Sequence, residues 1–150
     1  MESINISGTG SYLPSTILTN YDLEKRGLNT THEWIVQRTG VSERRIAEAG
    51  ETASDLGYQA SLNALEMADL AAEELDLLIV ATITPDTCCP SAANWLQAKL
   101  NAPRAVTFDV TAACSGFIFG LNVAEQYLKN KTYKNVLVVA AEIMSRTLNW

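Results

Sequence analysis

Histidine is nearly missing from this 150-residue chain: His32 is the only one, and cysteine is limited to Cys88, Cys89 and Cys114. An odd cysteine count with two members adjacent excludes a framework of stabilising bridges. With a single distant histidine the thiols also fall short of a Cys/His zinc set, so no metal is expected. Basic residues are few, 11 Lys+Arg against 17 Asp+Glu for a net charge of −6, and they form no dense run. Nucleic acid and anionic membrane surfaces are therefore excluded as partners, because both draw on clustered Lys and Arg. No apolar run approaches the roughly 18 residues of a membrane span, and the opening MESINISGTG lacks the charged and apolar regions of a secretion signal. These absences point to a cytoplasmic protein. Four prolines and eight glycines exclude collagen-like and low-complexity chains.

What is present is apolar material, 47% of the chain. A chain of this length buries roughly 70% of the surface its unfolded form exposes, enough for a core without bridges or metal. An apolar run at 77–83 reads as a buried core strand, 106–110 and 136–141 read the same way, and residues 4–6 read as a short opening strand followed by a flexible loop to Pro14. Helical spacing covers 52–67, with Leu56, Ala60, Ala64 and Met67 on one face, and 91–100, with Ala92, Trp95, Leu96 and Leu100. Residues 114–129 read as a largely buried helix in which Gly116 and Gly120 allow close approach. The alternation of strand and helix predicts an α/β layered domain with parallel pairing through right-handed crossovers.

Cys114 falls where the 106–110 strand gives way, through Thr111-Ala112-Ala113, to that last helix, which is expected to begin near Ser115-Gly116. A thiol at a helix N-terminus faces unpaired N–H groups and the positive end of the dipole, an environment that favours the nucleophilic thiolate. The same position also suits a small buried apolar residue. A catalytic thiolate ordinarily works with an imidazole, and His32, in Thr30-Thr31-His32-Glu33-Trp34, reads as a polar residue near the start of a short helix. Trp34 and Arg38 are four apart and share a helical face. That spacing fits a helix packed by its Trp with a solvated Arg, and equally an aromatic surface beside a guanidinium that holds a planar ring and a phosphate. Gly8-Thr9-Gly10 lacks the spacing of a dinucleotide fingerprint, and no Gly-rich phosphate loop ending in Lys-Ser/Thr exists.

Several segments together carry a resemblance: Gly8-Thr9-Gly10-Ser11-Tyr12-Leu13-Pro14, Asp22-Leu23-Glu24, Glu33-Trp34-Ile35-Val36-Gln37-Arg38-Thr39-Gly40-Val41 with Glu43-Arg44, Pro90-Ser91-Ala92-Ala93, and Phe108-Asp109-Val110-Thr111-Ala112-Ala113-Cys114-Ser115-Gly116-Phe117. Along essentially its whole length the chain resembles the N-terminal half of β-ketoacyl-acyl-carrier-protein synthase III. The resemblance implies an α/β architecture: the N-terminal half of a thiolase-like fold, residues 1–150 as one half-domain, its mixed and mainly parallel sheet covered by helices, with the C-terminal half absent. It implies that Cys114 is the nucleophile that accepts an acyl group from acyl-coenzyme A, and that Thr30, Trp34 and Arg38 hold the adenine end of that substrate.

Acyl-coenzyme A enters as a substrate, with no cofactor held permanently. Malonyl-acyl carrier protein, a second copy in a homodimer and the C-terminal half of the fold are the implied partners, and the activity is the initiating condensation of fatty-acid synthesis. The family's acid/base histidine and its asparagine belong to the second half, so this chain alone is expected not to catalyse condensation. His32 does not match that histidine. Cys89 stands where the family often has a Phe that reaches the partner's acyl pocket, and Met144 is a candidate wall of that pocket. Carrier proteins are acidic, and the short basic groups Arg44-Arg45, Lys129, Lys131 and Lys134 read as solvated surface, leaving the docking patch elsewhere. The alternative reading is a non-catalytic half-fold that acts as a binding or assembly module.

Overall fold

A computed structural model describes residues 4–148. Its core is a three-stranded, wholly parallel sheet in the order β4-β3-β5, built from β3 (Leu77–Ala81), β4 (Val106–Val110) and β5 (Val136–Ala140). β3 lies in the middle, so its side chains are covered on both faces, and all five residues are at most 4% exposed. That is why its sequence is an unbroken apolar run rather than an alternation. Leu78 and Val80 point to one face and pack against α3 (Ala53–Ala68) and α4 (Ala92–Leu100), while Leu77 and Ile79 point to the other and meet α5 (Gly116–Lys129). The edge strands are only half-buried, and Val106 on β4 is largely exposed.

The chain leaves β3 for β4 with α4 on one face, then returns past β3 to β5 with α5 on the other. A constant right-handed crossover requires the helix to change face when the direction across the sheet reverses. The reversal makes the crevice between the carboxyl ends of β3 and β5 a topological switch point.

Helix boundaries follow local chemistry. α3 begins at a capping box in which Thr52 and Asp55 exchange side-chain and backbone bonds, and Ser91 and Asn94 do the same for α4. Two further elements pair outside the main sheet: β1 (Thr16–Thr19) runs antiparallel to β2 (Glu43–Ile46), with α1 (Asn20–Lys25) and α2 (His32–Thr39) between them. α2 ends on Gly40 at φ 72°, a left-handed cap that only glycine adopts without strain.

Two expectations need correcting. Residues 4–6 form no strand; they and the following residues line one wall of a cleft of about 570 Å³ whose other walls include β5, and the gap leaves no ladder bond between them. The last helix starts at Gly116, in line with the start expected near Ser115-Gly116, and just before it Ala113 takes φ 45° and tightens residues Ala113–Ser115 into a 3-10 turn. Nor is α5 largely buried. Gly116, Gly120 and Ala124 press onto the sheet, but Phe117, Ile118 and Phe119 are 44%, 62% and 53% exposed, since no described residue covers that outer face.

Asp55 also carries a pH dependence. Burial pushes its carboxyl upward, but the Lys99 ammonium at 2.5 Å and the Thr52 hydroxyl and N–H outweigh this and hold it at about 2 instead of 3.8. Asp22 and Asp76 shift down as well, Asp22 chiefly through the Thr19 hydroxyl and Asp76 chiefly through the Lys134 N–H. A carboxyl with a depressed folded-state value contributes stability above its unfolded value and loses it as pH falls. Urea midpoints should therefore decline between pH 3.8 and about 2. Asp55→Asn should flatten that decline; an unchanged slope would assign the effect to other carboxyls.

Candidate active site

Cys114 sits at the carboxyl end of β4, in the turn that packs against the end of β3, and its side chain is exposed. The turn that carries it is sharp. Ala113, immediately before it, has φ 45°, a left-handed conformation that costs a non-glycine residue about 1–2 kcal/mol. α5 then starts with no side-chain cap bond at its N-terminus, so its dipole faces the turn without a capping oxygen in between. Gly116 explains how the turn comes so close to the sheet: a Cβ there would stand 3.1 Å from the Ala81 Cβ.

Two acidic residues lock the loops at this carboxyl end of the sheet. Asp109 on β4 accepts the N–H groups of Ala92 and Ala93 at 2.9 and 2.8 Å, fixing the start of α4. Glu142, just after β5, accepts from the Ile83 N–H at 2.8 Å and from the Thr84 and Thr82 hydroxyls at 2.6 and 3.3 Å. Neither was singled out from sequence, although a carboxylate at the end of an apolar run is a visible signal. They position the frame of the site.

Thr30, Trp34 and Arg38 gather at α2. The Arg38 guanidinium lies 5.1 Å from the centre of the Trp34 ring, a cation–π contact that covers one face of an indole that is 54% exposed. The Thr30 hydroxyl oxygen is shielded from solvent and has no hydrogen-bond partner, which is unusual for a buried polar atom. The structure thus brings Trp34 and Arg38 together, with Thr30 just before the start of α2, while no polar contact among the described residues joins them to Cys114.

His32 is the first residue of α2, stacked on Tyr21 at 4.5 Å and 3.4 Å from the Asn20 amide through Nδ1, with its backbone N–H on Glu24. It is a structural residue of the α1–α2 unit. Met144 lines a cleft of about 1060 Å³ with Ile143, Leu148 and the Gly10–Pro14 segment, a cleft that none of the four candidate residues lines. Arg44 donates to the Leu18 carbonyl and to Asn20, and Arg45 to the Pro14 carbonyl, so neither guanidinium stands free. Among the described residues no three His, Cys, Asp or Glu side chains gather as a metal site, and no helix is long and apolar enough to cross a membrane.

The sequence profile of the 3-oxoacyl-[acyl-carrier-protein (ACP)] synthase III family matches residues 108–150, the stretch that carries Cys114. Beta-ketoacyl-[acyl-carrier-protein] synthase III of Caldanaerobacter subterraneus is 53% identical over 145 residues, covering 97% of this chain and 44% of the relative. The protein of the same name from Desulfitobacterium hafniense is 51% identical over 150 residues, covering 100% of this chain and 45% of the relative. The crystal structure of 3-oxoacyl-[acyl-carrier-protein] synthase III from Aquifex aeolicus superposes with a TM-score of 0.92 at 50% identity, over 97% of this chain and 46% of that one. The chain therefore spans about half the length of the relatives it matches.

Proposed function

The chain belongs to the 3-oxoacyl-[acyl-carrier-protein] synthase III family, as the N-terminal half of its thiolase-like fold, and on that premise we propose that Cys114 takes an acyl group from acyl-coenzyme A. The step opens the initiating condensation of fatty-acid synthesis. The Cys114 Sγ attacks the thioester carbonyl, a tetrahedral oxyanion forms, and coenzyme A leaves as its thiolate while the acyl group stays on the enzyme as a new thioester. Backbone N–H groups at an uncapped helix start are suited to a developing oxyanion. The carrying observation is the exposed Cys114 on a strained turn between the end of β4 and the uncapped start of α5.

Residues 1–150 act in this reading as a single half-domain. The acid/base groups that the resemblance assigns to the second half then complete the decarboxylative condensation with malonyl-carrier protein, and the chain works within a homodimer. No resident cofactor takes part.

Trp34, Arg38 and Thr30 supply the far end of the substrate site. With Arg38 on one face of the indole, the other face is open to the adenine, the guanidinium is within reach of a phosphate, and the unpartnered Thr30 hydroxyl gains a bond. Base stacking on an aromatic is worth about 1–3 kcal/mol, so Trp34→Ala should raise the acetyl-coenzyme A concentration for half-maximal labelling of Cys114 about tenfold. Intact-mass spectrometry after incubation with acetyl-coenzyme A checks this. An acetyl adduct on Cys114 is the expected result; no adduct at any concentration overturns the reading.

The exposed apolar face of α5 supports a second reading, a non-catalytic half-fold that works by association. Sedimentation as a stable monomer, alongside acetylation of Cys114, would dispose of it.

A further inference from the structure

α2 carries Trp34 and Arg38, yet none of its eight residues is buried. Short helices in proteins are ordinarily held by an apolar face pressed on a core. α2 is held by polar ties instead, and they converge on one side chain. Asn20, the first residue of α1, is completely shielded from solvent. Its Nδ2 donates to the Val41 carbonyl at 2.8 Å, immediately beyond the Gly40 cap of α2, and stands 3.4 Å from Nδ1 of His32, the first residue of α2. Its Oδ1 accepts from the Arg44 guanidinium on β2 at 2.7 Å, and Arg44 also donates to the Leu18 carbonyl on β1. The partners fix which way the amide points, since a guanidinium only donates and a carbonyl only accepts. The Nδ2 side therefore faces His32, and Nδ1 of His32 is the acceptor. One buried amide grips both ends of α2 and ties them to the β1–β2 pair.

We propose that Asn20 is a positioning residue for the coenzyme A site, setting where α2 presents Trp34 and Arg38. Completely buried, it touches no substrate. The inference rests on the reading of Trp34 and Arg38 as the adenine and phosphate contacts. A helix with no buried face has little else to hold it in register once the amide is gone, and displacements of about 1 Å are enough to weaken an oriented contact. Asn20→Asp separates this role from plain stability. It keeps an oxygen for Arg44, but removes both donors to α2 and sets a second oxygen against the Val41 carbonyl.

The test follows labelling of Cys114 in the full chain by intact-mass spectrometry, using acetyl-coenzyme A and S-acetyl-N-acetylcysteamine, a thioester that lacks the nucleotide and so cannot reach α2. Asn20→Asp should raise the acetyl-coenzyme A concentration for half-maximal labelling about fivefold while the rate at saturation stays within about twofold. Labelling by the truncated thioester should not change. In a chain that already carries Trp34→Ala and Arg38→Ala, Asn20→Asp should add less than about twofold, because it acts through those side chains. His32→Leu removes one of the two ties at a half-buried position and should give a smaller rise, about threefold; it carries the test if circular dichroism shows the aspartate variant unfolded. A rise with Trp34→Ala but with neither Asn20→Asp nor His32→Leu overturns this inference and leaves the site assignment standing. No rise with Trp34→Ala removes the site assignment, and the inference with it. Equal losses with both thioesters also overturn it, since the damage would then be to the fold and not to the placement of α2.

Discussion

Cys114→Ser is expected to abolish acyl transfer to the chain, with the labelling rate from acetyl-coenzyme A falling about a thousandfold or more. Serine keeps the size and shape of the side chain, and the position is exposed, so stability should stay within about 0.5 kcal/mol of the parent. What is lost is the sulfur. A hydroxyl is a far weaker nucleophile near neutral pH, and the helix start and the Ala113 turn do not compensate for it. The three exposed cysteines make the experiment discriminating. If the adduct persists on the variant and maps to Cys88 or Cys89, acylation is a surface-thiol reaction and the turn at Cys114 is ordinary structure. If it disappears while the loop thiols still react with an alkylating reagent, the nucleophile is assigned.

How far sequence could lead differs from one residue to the next, and the differences have physical causes. β3 is legible because a central parallel strand is buried on both faces and therefore apolar throughout. The starts of α3 and α4 are legible because Thr52 and Ser91 act within their own capping boxes. Trp34 and Arg38 could be paired because contact at a spacing of four is a local property of a helix.

β1 and β2 escaped notice because neither TILT nor ERRI announces a strand by itself; each is one only because the other pairs with it across the α1–α2 insertion. Residues 4–6 misled for the complementary reason: they have strand composition without a partner at bonding distance. In α5 the periodicity marked apolar residues correctly but carried no information about what covers them, so Phe117 and Ile118 looked interior. The anchoring roles of Asp109 and Glu142 depend on amides from other segments, 16 or more residues away, and no local pattern encodes such a pairing.

Gly10→Ala is the substitution with the largest expected effect on stability. The segment around Gly8 and Gly10 lies directly on the backbone of α3. A Cβ added at Gly10 would sit 2.1 Å from the Ala60 carbonyl oxygen and 2.5 Å from the Ala64 nitrogen; at Gly8 it would sit 2.2 Å from the Ala64 oxygen. These are main-chain atoms in the middle of a 16-residue helix, with no rotamer through which to yield. The segment must lift instead, giving up the 3.0 Å bond from the Asn63 amide to the Ser11 carbonyl and the contacts of Thr9 with the Met67 sulfur. Forcing extra atoms into a packed contact costs about 1–3 kcal/mol, and a backbone collision with no escape belongs at the top of that range. About 3 kcal/mol should appear as a melting temperature lower by roughly 6–12 °C in a chain of this size. Gly40→Ala is the internal comparison. Its φ of 72° disfavours alanine, but nothing lies within 4 Å of the new Cβ, so the expected loss is only about 1 kcal/mol, from the left-handed backbone alone. Equal losses at the two positions would mean that conformation rather than close approach sets the requirement at Gly10. A Gly10→Ala variant within about 0.5 kcal/mol of the parent would mean the segment does not rest on α3 in solution.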